Sequence, residues 1–197
     1  MKIIANSCVG GYLYRDYCRC NYQTPFIWNL IDFKSMYNLI SNFRNLNFKD
    51  YDIKKDRNWN FSIIIEKVIE VKYIHYKFDP HANNVIHKGI DVYSNKIWEY
   101  IAEKYEKRVE RMVNNTSTPI FILANGWNPP ETILKYNHLK MLNDLNQNNI
   151  ICGVDKVYPE FYNLTQTLRY TGPIQYGANM RLAKKIYNDV IKPKLHC

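Results

Sequence analysis

Two rhythms of apolar and polar positions alternate along the chain. Short apolar runs occur at Ile3-Ile4-Ala5, Phe61 to Ile65, Ile69 to Tyr76, Pro119 to Ala124 and Ile150 to Val154. Runs of this length, rich in β-branched and aromatic residues and bounded by polar clusters, predict strands. Between them, apolar residues recur every three to four positions. Phe33, Met36, Tyr37, Ile40 and Phe43 form one stripe, and Ile97, Ile101, Tyr105, Val109 and Met112 another. Met180, Leu182, Ala183, Ile186, Tyr187 and Val190 form a third. That period predicts helices over about 33–44, 91–114 and 177–191, the first capped by Asp32 and the last stopped at Pro193. Pro129-Pro130-Glu131 opens a further helix over about 130–146, and residues 10–18 read as a short helix or turn.

The remaining stretches are polar. Residues 45–60 read as a solvated loop or an extended edge, 79–89 as a loop covering a site or merely surface, and 156–175 as irregular. Buried strands alternating with helices predict an α/β fold. The expected form is a layered α/β/α sandwich with a mainly parallel sheet, spanning 1–197 as a single domain.

Composition narrows the partners. The chain has 197 residues, 46% of them hydrophobic, and 17 Tyr with 8 Phe argue against disorder. A net charge of +9, from 27 Lys and Arg against 18 Asp and Glu, attracts anions: nucleic acid, phosphorylated donors, coenzyme A or lipid headgroups. The cations are scattered, which disfavours nucleic acid. The five cysteines are odd in number and lack framework spacing. With no apolar leader and no run long enough to span a bilayer, a cytoplasmic protein is expected, with peripheral membrane contact left open. Cys8 with Cys18-Arg19-Cys20 lacks a second ligand pair at metal spacing, so no metal site is expected.

Candidate chemistry gathers at Asn6-Ser7-Cys8-Val9-Gly10-Gly11-Tyr12, where the first strand breaks into a segment of helical spacing. Such a turn presents side chains at the end of a sheet, where α/β proteins keep their sites. A thiol at a helix N-terminus is stabilised as thiolate by the dipole and unpaired N–H groups, so Cys8 is a candidate nucleophile. The alternative is a small buried hydrophobe. Gly10 and Gly11 would allow close backbone approach by a substrate and an oxyanion. His75, at the end of the strand from Ile69, is placed where a base could reach a thiol on another strand. The alternative there is a hydrogen-bonded structural histidine.

With these residues laid out, the chain resembles a family labelled exopolysaccharide biosynthesis protein, and a related papain-like cysteine peptidase group. The likeness rests on Ile3 to Tyr14, on Tyr22-Gln23-Thr24-Pro25-Phe26 with Trp28, and on His75-Tyr76 leading to Lys104 to Met112. It covers about residues 2–125. Ser7 between Asn6 and Cys8, and Ile27 where the peptidase-like pattern has Asp, are departures.

The resemblance implies a transferase of polysaccharide or glycoconjugate assembly. Cys8 and His75 would carry acyl transfer to a sugar hydroxyl, with Asp79 or Asn125 orienting the imidazole. Asn6, Gly10, Gly11 and Tyr14 are the expected substrate contacts. Arg108 and Arg111 would bind phosphates of a coenzyme A thioester or nucleotide-sugar co-substrate, or else form ion pairs within the fold. A cysteine hydrolase of the papain-like kind is the alternative enzyme. A glycosyltransferase-like protein, for which no Asp-x-Asp motif is visible, and a non-catalytic anion-binding module are the others.

Overall fold

The computed structural model describes residues 1–18, 24–55, 61–73, 96–124, 134–154, 156–168 and 178–195. In order, its elements are β1 (Lys2–Ala5), α1 (Val9–Tyr12), which runs into a π-helical segment Leu13–Cys18, and α2 (Phe33–Asn42). Then come β2 (Tyr51–Lys55), β3 (Phe61–Ile65), β4 (Ile69–Tyr73), α3 (Lys96–Asn114) and β5 (Pro119–Ala124). The chain continues through α4 (Tyr136–Asp144), β6 (Ile150–Val154), β7 (Thr165–Leu168) and α5 (Ala178–Ile186). A second π-helical segment, Tyr187–Ile191, leads into α6 (Lys192–Leu195).

The protein is of the α/β class, with its strands divided between two sheets. β1, β5, β6 and β7 form a parallel sheet in the order β1-β5-β6-β7, and β2, β3 and β4 a separate antiparallel one. β3 and β4 cannot join the parallel sheet as parallel neighbours, because only Glu66, Lys67 and Val68 connect Ile65 to Ile69. A parallel pair needs a crossover of a dozen or more residues.

Side-chain alternation explains how the parallel sheet is buried on both faces. Ile4, Phe121, Leu123, Ile150, Cys152 and Val154 join α2, α3, α4 and the antiparallel sheet in one apolar core. Ile3, Ala5, Ile122, Ala124 and Ile151 face the other way, into a second core with Val9, Leu13 and Tyr14 and with Leu182, Ala183 and Ile186 of α5.

Several expectations are met locally. Asp32 caps α2, its Oδ1 accepting from the Ser35 N–H at 2.7 Å, and Met36 and Ile40 of the stripe are buried. In α3, Ile101, Tyr105, Val109 and Met112 are buried, and the Tyr105 hydroxyl donates to the Phe48 carbonyl at 2.9 Å.

Of the two readings of the polar stretch 45–60, loop or extended edge, the edge holds for β2, whose Asp52, Lys54 and Lys55 face water, a composition that discourages further pairing. Others are corrected. The stretch expected to be irregular contains β7, where Gln166 holds the Tyr158 backbone from both sides, at 2.8 and 2.9 Å. The last helix does not stop at Pro193 but runs on to Leu195. The wider π turn before Pro193 relieves the clash with the carbonyl four residues earlier. No helix among the described residues is long and apolar enough to cross a membrane.

Candidate functional site

β1 leaves the carboxyl edge of the parallel sheet at Asn6, and the next three residues turn the chain into α1. Asn6 closes the strand pair beyond its last residue. Its Oδ1 accepts from the Ala124 N–H at 2.9 Å, and its own N–H donates to Ile122 at 3.0 Å. Its carbonyl accepts from Ile31 at 3.1 Å. Thus Asn6, placed among the substrate contacts by the resemblance, spends its groups on the fold and is 3% exposed.

Cys8 occupies the N-cap position of α1 without a side-chain capping bond, and its carbonyl accepts from Tyr12 at 3.2 Å. The residue is 7% exposed. Burial pushes its thiol up to about 11 from the usual 9.0, and a backbone hydrogen bond pulling downward does not offset this. The expected thiolate stabilisation is therefore reversed at rest. Desolvation of the anion by burial outweighs what the backbone at the helix start returns.

Gly10 and Gly11 answer to packing. A Cβ on Gly10 would lie 2.9 Å from the Ala5 Cβ, and one on Gly11 only 2.1 Å from the Trp28 indole. The space expected for substrate at Gly11 is occupied by Trp28, which packs beside the opening turn. Tyr14 is corrected outright. It is 0% exposed, and its hydroxyl accepts from the Ile3 N–H at 2.9 Å and donates to Met1 at 3.1 Å.

The backbone of Trp28 is the feature of this turn that sequence reasoning did not anticipate. Its φ of 56° lies in the left-handed region, which a bulky residue enters only at a cost. Tyr12 meets the indole edge-on at 4.9 Å, and the Arg15 guanidinium stands 4.9 Å from the Tyr12 ring and 5.8 Å from Trp28. These half-buried and exposed groups form the outer surface beside the Cys8 turn. Nothing in the sequence signals a positive φ at Trp28, because it arises from chain path and not residue type.

His75, Asp79 and Asn125 lie outside the described residues. The described end of β4 is nonetheless tied to the turn. Lys72 and Leu30 exchange backbone hydrogen bonds of 2.7 and 2.9 Å, and Ile31, next in the chain, donates to Asn6. Arg108 and Arg111 sit in the last turns of α3, which is joined to the amino end of β5 by the four residues from Asn115 to Thr118. Among the described residues no cluster of three or more His, Cys, Asp or Glu could hold a metal ion.

Fold and turn together define an α/β protein with a buried cysteine at the carboxyl edge of a parallel sheet. No protein-family model matches the chain, and no curated protein matches it either.

Proposed function

We propose that the chain is a cysteine-dependent acyltransferase acting in polysaccharide or glycoconjugate assembly. The observation that carries the reading is the convergence at the carboxyl edge. The Cys8 turn lies there, and the Leu30–Lys72 bridge fastens the strand leading to His75 to that same turn. The strained Trp28 beside it fits a working site, where such backbone outliers collect.

A thiol near 11 is protonated at neutral pH, so attack needs a base at the moment of reaction. In the proposed step the Cys8 sulfur attacks the carbonyl of a coenzyme A thioester while its proton passes to the His75 imidazole. The tetrahedral intermediate collapses to the acyl-cysteine, and coenzyme A leaves as a thiol by taking that proton. A sugar hydroxyl then attacks the acyl-cysteine, gives its proton to His75, and the thiol is restored. Asp79 would orient the ring. With water in place of the sugar, the same steps give the hydrolase reading. The glycosyltransferase-like reading has no required use for Cys8, and the anion-binding module has none for His75.

Intact-mass analysis after incubation with acetyl-coenzyme A tests the proposal. The expected result is one acetyl group on Cys8, absent in Cys8→Ala and strongly reduced in His75→Ala. Absence of any adduct on Cys8, or an equal adduct in both variants, overturns it.

A further inference from the structure

The amino edge of the parallel sheet, opposite the Cys8 turn, opens into a cleft of about 870 Å³. Five stretches wall it: Lys2 at the start of β1, the end of α2 with the turn after it, the segment leading into and starting β5, the turn before β6, and Asn163 ahead of β7. Among the described residues no Asp or Glu lines it. Its polar side chains are amides, hydroxyls and the two cations Lys2 and Arg44. A cleft with donors in excess and no negative wall selects an anionic ligand, and its amides suit hydroxyl groups.

Lys2 supplies a second, separate observation. It is 9% exposed, yet no carboxylate among the described residues pairs with it. The nearest compensating group is the Phe43 ring, whose centroid lies 6.0 Å from the ammonium, the outer limit of a useful cation–π contact. Burial holds the Lys2 pKa below the ordinary lysine value. A cation drawn partly out of water at the wall of a cleft is favoured by a counter-charge, and a ligand anion in the cleft would supply one. Arg44, on the exposed rim, adds a planar fork that fits phosphoryl oxygens in pairs.

We propose that this cleft binds a phosphorylated polyhydroxy compound of the sugar-phosphate kind, with Lys2 and Arg44 holding the phosphoryl group and the amides of Asn45, Gln147 and Asn148 holding hydroxyls. Phe43 offers an apolar ring toward the carbon skeleton. The site lies at the other end of the sheet from Cys8 and does not depend on acyl chemistry there.

The test is a titration of ¹⁵N-labelled protein with glucose 6-phosphate, glucose, glucuronate and inorganic phosphate, followed by amide shifts. Glucose 6-phosphate is expected to give saturable shifts confined to residues 41–45, 116–118 and 146–149. Glucose and glucuronate should bind at least about tenfold more weakly, and inorganic phosphate should shift the same amides less. Arg44→Gln, on the exposed rim, and Lys2→Met should each weaken glucose 6-phosphate about tenfold, with the melting temperature unchanged in Arg44→Gln and unchanged or higher in Lys2→Met, which removes a partly desolvated cation. Cys8→Ala should bind as the parent does, which separates this site from the acyl reading. Shifts mapping elsewhere, no saturation at about 10 mM, equal binding of glucose or glucuronate, or full affinity in Arg44→Gln would each overturn the proposal.

Discussion

The side chain of Asn6 does for the parallel sheet what another residue of backbone pairing would do: its Oδ1 accepts from the Ala124 N–H at 2.9 Å across 118 positions of sequence. The strand pair β1–β5 is thus extended by one rung just where the chain must turn toward Cys8. Asn6→Ala leaves a buried N–H unpaired, at a cost of about 1–3 kcal/mol. Urea and thermal melts should show the loss, with a melting temperature lower by about 2–4 °C for each kcal/mol. Asn6→Asp keeps an acceptor and should recover part of it.

Gly11 and Trp28 compete for one space, since a Cβ at residue 11 would fall 2.1 Å from the indole. Gly11→Ala should destabilise by about 1–3 kcal/mol, the usual cost of overpacking. In a Trp28→Ala background the same change should cost clearly less, because the obstructing ring is gone. Additive losses in the double-mutant cycle would contradict this geometry.

Burial raises two thiols, Cys8 to about 11 and Cys152 to about 12, from the usual 9.0. Above about pH 9 the unfolded chain releases thiol protons that the native chain retains, so stability falls as pH rises. The contribution is complete below the unfolded value and is lost as pH climbs through the folded ones. For Cys8 it amounts to something on the order of 2 kcal/mol. Urea midpoints of the parent should therefore fall more steeply between pH 9 and about 11 than those of Cys8→Ala. Iodoacetamide labelling of Cys8 should also climb toward pH 11 if no base assists. A plateau near neutrality is the result expected if His75 pairs with the thiol in solution.

Tyr14→Phe removes the hydroxyl that accepts from Ile3 at 2.9 Å and donates to Met1. It strands a buried N–H on β1, so a loss of about 1–3 kcal/mol is expected by chemical denaturation. Amide hydrogen exchange should localise the effect to the start of β1. An unchanged midpoint would mean that water or another group replaces the hydroxyl.

How much of this was legible beforehand differs by element. The stripe Ile101, Tyr105, Val109 and Met112 and the run Phe121 to Ala124 announce themselves, because burial of one helix face or both strand faces leaves a local pattern. β7 leaves none, and β2 reads only as one of two alternatives, a loop or an extended edge. Thr165-Gln166-Thr167 and Tyr51-Asp52-Ile53-Lys54 are held by neighbours distant in the chain, and their composition matches a loop. The candidate site divides in the same way. The turn at Cys8 was visible as a strand breaking before two glycines, whereas the roles of Asn6, Gly11 and Tyr14 were misassigned. A polar or small residue near a cysteine reads identically whether it faces a ligand or the core.

The sequence by itself determined the α/β class, the stripes that build both cores, and the placing of Cys8 at the end of the first strand. Those properties follow from local periodicity and residue type. Only the tertiary structure decided that Cys8 is an enclosed thiol with a raised pKa, and that Lys2 is largely covered with no carboxylate among the described residues paired to it. Charge and solvation are set by neighbours brought together from far along the chain, and no local pattern records them.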